Sequence, residues 1–149
     1  MILISHRGLL NGPDVERENT VDAINECLRL GFDVEVDVWY RDGWYLGHDE
    51  PKTPTTLDFL STKGFWIHAK NLYAAEKLYG SNLTYFYHDK EPRVLTSNGY
   101  WWTYPQKKVG YKSIALMPEW YTNVEKCIEW NCAGVCTDFV TKLQNDAVQ

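Results

Sequence analysis

Glu35 and Asp37 stand two residues apart in the run Asp33-Val34-Glu35-Val36-Asp37-Val38. Side chains on a strand alternate between faces, so both carboxylates project from one face and the valines from the other. Two carboxylates this close repel, and one pKa rises unless a cation lies between them. Oxygen donors of this kind suit Mg²⁺ or Ca²⁺. Asp33 shares the face but lies roughly 13 Å from Asp37 along the strand, at about 3.3 Å per residue, and falls outside the expected site. The plainer alternative is a solvent-facing edge strand, which conflicts with the parallel-sheet pattern of the chain.

His6 and Arg7 follow a first apolar strand, and Gly8 lets the backbone turn sharply after them. In parallel α/β folds the carboxyl ends of the strands carry the active site. Arg7 offers a planar fork of donors that matches phosphate oxygens, and His6 exchanges a proton near neutral pH. An HRG tripeptide alone equally describes a surface His-Arg pair; its neighbourhood to Glu35 and Asp37 gives it weight. His48 follows the Asp42-Gly43 turn signal, which folds the chain back toward the mouth of the second strand. Facing His6 across a phosphodiester, it would supply the second half of an acid–base pair. Glu18 and Asn19 open the first helix pattern, either as plain capping residues or with Glu18 reaching the site.

The ordered elements HRG (6–8), ENT (18–20), Glu35-x-Asp37 and His48-Asp49 resemble the signature of glycerophosphodiester phosphodiesterases. These are metal-dependent enzymes on a TIM-type barrel, in the superfamily of phosphatidylinositol-specific phospholipases C. The resemblance covers residues 5–49 and is much weaker beyond. It implies a catalytic pair His6 and His48, a phosphate ligand in Arg7, and metal ligands in Glu35 and Asp37. In that family a third strand offers Glu-x-Lys; here Lys70 matches as a phosphate ligand and His68 stands in the glutamate's place. An imidazole lowers the negative charge of the site and favours Mn²⁺ over Mg²⁺ or Ca²⁺. The family's closing TD-x-P reads Thr137-Asp138-Phe139-Val140, and Arg17 stands where a proline usually precedes ENT.

Polar groups beyond that signature also follow strand patterns: His88, Thr103-Tyr104 and Glu119. Each is either a site group at a common mouth or a loop residue satisfying backbone groups. Glu119 is the candidate anionic ligand in place of the glutamate that His68 replaces.

The elements that must position these residues are short. Strands are expected over Ile2–Ser5, Asp33–Tyr40, Trp44–Leu46, Phe65–Ala69, Leu83–Tyr87, Tyr100–Thr103, Ile114–Met117 and Gly134–Thr137. Helices are expected over Glu18–Leu30, where Gly31 ends an apolar stripe, and over Leu72–Tyr79 and Asn123–Trp130. Strand–helix alternation argues for a parallel sheet. A complete (β/α) barrel usually takes about 250 residues. The expected fold is therefore a single α/β domain over 1–149, a shortened TIM-type barrel with several helices missing.

Bulk composition agrees with one folded domain: 44% hydrophobic and 15% aromatic residues, with seven Trp and ten Tyr. Trp101 and Trp102 read as core or interface rather than substrate platforms, and aromatic surface left by missing helices invites a homodimer. A net charge of −5 offers no field for nucleic acid. No apolar run reaches membrane-spanning length and no signal-peptide pattern opens the chain, so no membrane insertion is expected and the reading is cytoplasmic. The four cysteines, without paired CxxC knuckles, fit reduced, buried thiols rather than a zinc site. Together these readings predict a metal-dependent phosphodiesterase, with Mg²⁺, Ca²⁺ or Mn²⁺, acting on a small phosphodiester. The alternatives are a non-catalytic binder of a phosphoryl ligand and a lyase that stops at a cyclic phosphate.

Overall fold

Alternating patterns become strands where the sequence places them, with ends shifted by one or two residues. In the computed structural model, which describes residues 1–146, β1 is Ile2–His6, β2 Asp33–Tyr40, β3 Trp44–Leu46, β4 Thr53–Thr55 and β5 Phe65–Ala69. They are followed by β6 (Tyr85–Tyr87), β7 (Arg93–Leu95), β8 (Trp101–Thr103), β9 (Ser113–Leu116) and β10 (Gly134–Thr137). The helices are α1 (Val21–Arg29), α2 (Leu57–Leu60), α3 (Leu72–Leu78) and α4 (Val140–Asp146). The helix expected over Asn123–Trp130 is a 3-10 helix, Val124–Glu129, and a second 3-10 turn covers Pro118–Trp120. Strands β4 and β7 and helices α2 and α4 lie outside the elements expected from the sequence.

Seven strands lie parallel in the spatial order β6-β5-β2-β1-β10-β9-β8. Three more are antiparallel: β3 returns along β2, β4 along β3, and β7 along β8. The expected TIM-type barrel is thereby corrected. The protein is a mixed, ten-stranded, unclosed sheet with few short helices, because no ladder joins β6 to β7 or β8 among the described residues. The connection that would close a barrel is spent on β7, which pairs backward. No α-helix separates β6, β8, β9 and β10. The sheet nevertheless curls, since Trp66 on β5 and Trp102 on β8 approach within 6.0 Å between ring centroids, although four strands intervene.

The two faces bury different chemistry. Val34, Val36 and Val38 of β2 and Ile67 of β5 pack under Ile24 of α1 and Leu78 of α3. Each such side chain contributes about 1.5–3 kcal/mol on leaving water. Helix α1 starts one residue later than Asn19 could cap it: Thr20 is the N-cap and accepts from the Ala23 N–H. Gly31, at φ 91°, takes the left-handed conformation that ends it. The concave face carries Ile4, Trp66, Phe86, Trp102, Ile114 and Cys136 as a floor. All four cysteines are free thiols, and no helix among the described residues is long and apolar enough to cross a membrane.

Candidate metal and phosphoryl site

Parallel register brings the chemistry together above that floor. His6 is paired with Glu35 across β1 and β2, and Asp37 with His68 across β2 and β5. One cavity of about 260 Å³ at this mouth is lined by His6, Arg7, Glu35, Asp37, His48, His68, Lys70 and His88. Every residue expected in the catalytic, phosphate and metal roles therefore reaches the same space. Glu35 and Asp37 are 2% and 1% exposed.

One ligand atom from each of Glu35, Asp37 and His68 lies within 4.8 Å of the others. His68 Nδ1 is 3.2 Å from Asp37 Oδ1 and 3.8 Å from Glu35 Oε1, and its ring stacks on Phe86 at 4.8 Å. Asp37 is further fixed by Asn19. The Asn19 side-chain amide donates to Asp37 Oδ2 at 3.0 Å, and Asn19 Oδ1 accepts the Asp37 backbone N–H at 3.0 Å. Asn19, at φ 56°, holds the left-handed conformation that aims it there.

Arg7 also sits at φ 56°, a conformation that costs a Cβ-bearing residue about 1–3 kcal/mol. Its N–H donates to the Glu35 carbonyl at 3.0 Å, and its carbonyl accepts from Asn19 N–H at 2.8 Å. The guanidinium Nη1 donates to Glu18 Oε2 at 3.0 Å. Nε lies 3.1 Å from Asp37 Oδ2 but makes no hydrogen bond, so that pair is a charge contact. Glu18 thus reaches the site through Arg7, while capping falls to Thr20. Lys70 Nζ lies 3.9 Å from Asp37 Oδ1. His48 is half-buried and meets Asp49 Oδ1 at 2.7 Å.

The charges are unbalanced in a way that asks for a cation. Burial pushes the Glu35 carboxyl up to about 8, and the neighbouring Asp37 charge adds to the rise. Burial also acts against the Asp37 charge, but His68, Arg7 and Lys70 outweigh it and hold Asp37 well below the usual carboxylate range. Burial lowers the pKa of His68, which keeps its imidazole neutral and able to ligate. Without a metal, a proton on Glu35 takes the place of a positive charge between the carboxylates. Two carboxylates and a neutral imidazole fit a divalent cation, with positions left for water or substrate oxygens.

The residues read as site groups or loop residues divide between the two roles. Glu119 stands apart from the metal cluster: its carboxylate accepts from Thr137 Oγ1 at 2.8 Å and from Asp138 N–H at 2.9 Å. It stabilises the turn after β10, so of its two readings it takes the one that satisfies backbone groups and not that of an anionic ligand. Asp138 is the residue that reasoning missed; its Oδ1 lies 2.7 Å from His6 Nδ1. The signal was present, since Asp138 follows a parallel strand at the same end at which His6 closes β1. His88, read as either a site group or a loop residue, lines the cavity with its ring stacked on Tyr104 at 3.8 Å and its Nδ1 without a hydrogen bond. Tyr104, read as either a site group or a loop residue, and Trp102, read as core or interface, line the same cavity. No protein-family model, curated protein or solved structure matches the chain.

Proposed function

We infer that the protein is a metal-dependent phosphodiesterase acting on a small, glycerophosphodiester-like phosphodiester. The observation that carries this reading is the convergence of Glu35, Asp37 and His68 with His6, His48, Arg7 and Lys70 on one cavity. A pure binder of phosphate has no need of two histidines beside two buried carboxylates.

Glu35, Asp37 and His68 would hold the cation, which when bound offsets the anionic charge developing on phosphoryl oxygens. Arg7 and Lys70 place positive charge on the same phosphoryl group. Glu18 and Asp37 restrain the Arg7 guanidinium, so little ordering is lost when substrate arrives. His6 and His48 divide the proton work. One takes the proton of the attacking hydroxyl as the new P–O bond forms, and the other protonates the departing alkoxide as the old P–O bond breaks. With Asp138 on Nδ1, His6 turns Nε2 toward Glu35, 3.9 Å away. Burial opposes a charge on His6, but Asp138 and Glu35 outweigh it and raise its pKa.

Hydrolysis of bis-p-nitrophenyl phosphate and of glycerophosphodiesters, with Mg²⁺, Ca²⁺ or Mn²⁺, tests the reading beside His6→Ala and Glu35→Ala. Metal-dependent turnover lost in both variants is the expected result. Metal binding without turnover on any diester would favour the phosphoryl-binding alternative, and ³¹P NMR of the products separates hydrolase from lyase.

A further inference from the structure

The cavity has two unlike halves. Arg7, Glu35, Asp37, His68 and Lys70 form one; Trp102, Tyr104, Leu116, Met117 and Trp120, from the ends of β8 and β9 and the turn that follows, form the other. Phosphoryl chemistry uses the first half and leaves the second without a role.

That second half is prearranged. Trp102 is 1% exposed and stacks on Phe86 at 4.5 Å. Phe86 stacks in turn on His68, so wall and metal ligand share one aromatic column. Tyr104 is braced face to face by His88. Met117 directly follows β9 at φ 48°, its N–H held by the Cys136 carbonyl at 2.8 Å. A non-glycine residue kept in the left-handed region is the kind of strain that gathers at functional sites. Trp120 leaves a large ring 67% exposed where it lines this cavity.

The polar side-chain atoms on this half are few: the Tyr104 hydroxyl, two indole N–H groups and the ring nitrogens of His88 behind Tyr104. A polyol placed here would give up water for few partners, and each unpaired hydroxyl weakens binding by about tenfold. Flat aromatic walls instead suit a ring. A space of about 260 Å³ equals roughly nine waters at ~30 Å³ each, room for a phosphoryl group and one such ring.

Resting on the phosphodiesterase reading, we propose that one alcohol arm of the substrate is a compact, planar, apolar group of benzyl size, lodged against Trp102, Met117 and Trp120, and that Trp120 is a specificity-determining residue. The second arm leaves through the mouth.

Isothermal titration of the Mn²⁺-loaded His6→Ala protein with dimethyl phosphate, benzyl methyl phosphate and 2,3-dihydroxypropyl methyl phosphate tests this without turnover. The benzyl ester is expected to bind about tenfold more tightly than the dimethyl ester, and the dihydroxypropyl ester no more tightly. Trp120→Ala in the same background should cut the benzyl advantage about threefold, and Trp120→Phe should keep it; Trp120 is exposed, so neither change threatens the fold. A dihydroxypropyl ester that binds as well as the benzyl ester, or a benzyl advantage unmoved by Trp120→Ala, overturns the proposal and leaves the phosphodiesterase reading standing. Binding of none of the three esters overturns both.

Discussion

His6 Nδ1 and Asp138 Oδ1 lie 2.7 Å apart, one at the end of the first strand and the other just past the last. Strands β1 and β10 pair in parallel, with Ser5 opposite Thr137. The contact therefore exists only once the two ends of the domain have met. It fixes the His6 ring and, through Glu119 on the Asp138 N–H, ties that ring to the 3-10 turn after β9.

Asp138→Asn should lower kcat by about 10²-fold, the scale of one acid–base contribution, with metal affinity unchanged. An amide can still sit beside Nδ1 but no longer stabilises the imidazolium. Steady-state kinetics beside a Mn²⁺ titration checks this, and a parallel loss of metal binding would show that Asp138 serves the metal cluster instead.

The metal-free protein should lose stability as pH rises from the ordinary Glu range toward about 8. In that window the folded state keeps a proton on Glu35 that the unfolded chain has already released, so raising the pH favours unfolding. Asp37, with its pKa lowered, acts at the opposite end: its stabilisation is present above the ordinary Asp value and is lost in acid below it. Thermal melts from pH 5 to 8 should show a shallower slope for Glu35→Gln than for the native chain. Added divalent metal should raise Tm most at the alkaline end, where it replaces the proton.

His68→Glu should shift metal preference. A third carboxylate favours hard oxygen-seeking cations, so the ratio of Mg²⁺ to Mn²⁺ affinity should rise by about tenfold. The same change adds a like charge beside Glu35 and Asp37, so the metal-free variant should melt lower. Competition titrations and melts read the two effects separately.

Gly47→Ala should destabilise the protein by more than about 2 kcal/mol and reduce turnover. Gly47 sits at φ 151°, its N–H donates to the Asp37 carbonyl at 3.1 Å, and its carbonyl accepts the Trp39 indole N–H at 2.7 Å. A Cβ there would overlap the Glu50 carbonyl oxygen. The strain falls on the residue next to His48, so kcat should drop further than metal binding does. An unchanged Tm would refute the steric argument.

Much of this site is written in short-range pattern. Period-two alternation is local, and it decided that Glu35 and Asp37 share a face while Val34, Val36 and Val38 share the other. Strand-end logic likewise brought His6, Arg7, His68, Lys70 and His88 to one mouth, because parallel strands end on the same side. Which strands become neighbours, and whether the sheet closes, depends on pairings between residues far apart in the chain. Local periodicity carries no record of them. The backward course of β7 replaced the expected barrel with an open, curled sheet for this reason. The Asp138–His6 contact, the two bonds by which Asn19 holds Asp37, and the Trp102–Met117–Trp120 wall were likewise decided by tertiary structure, since each is a meeting of segments that no short window of sequence contains.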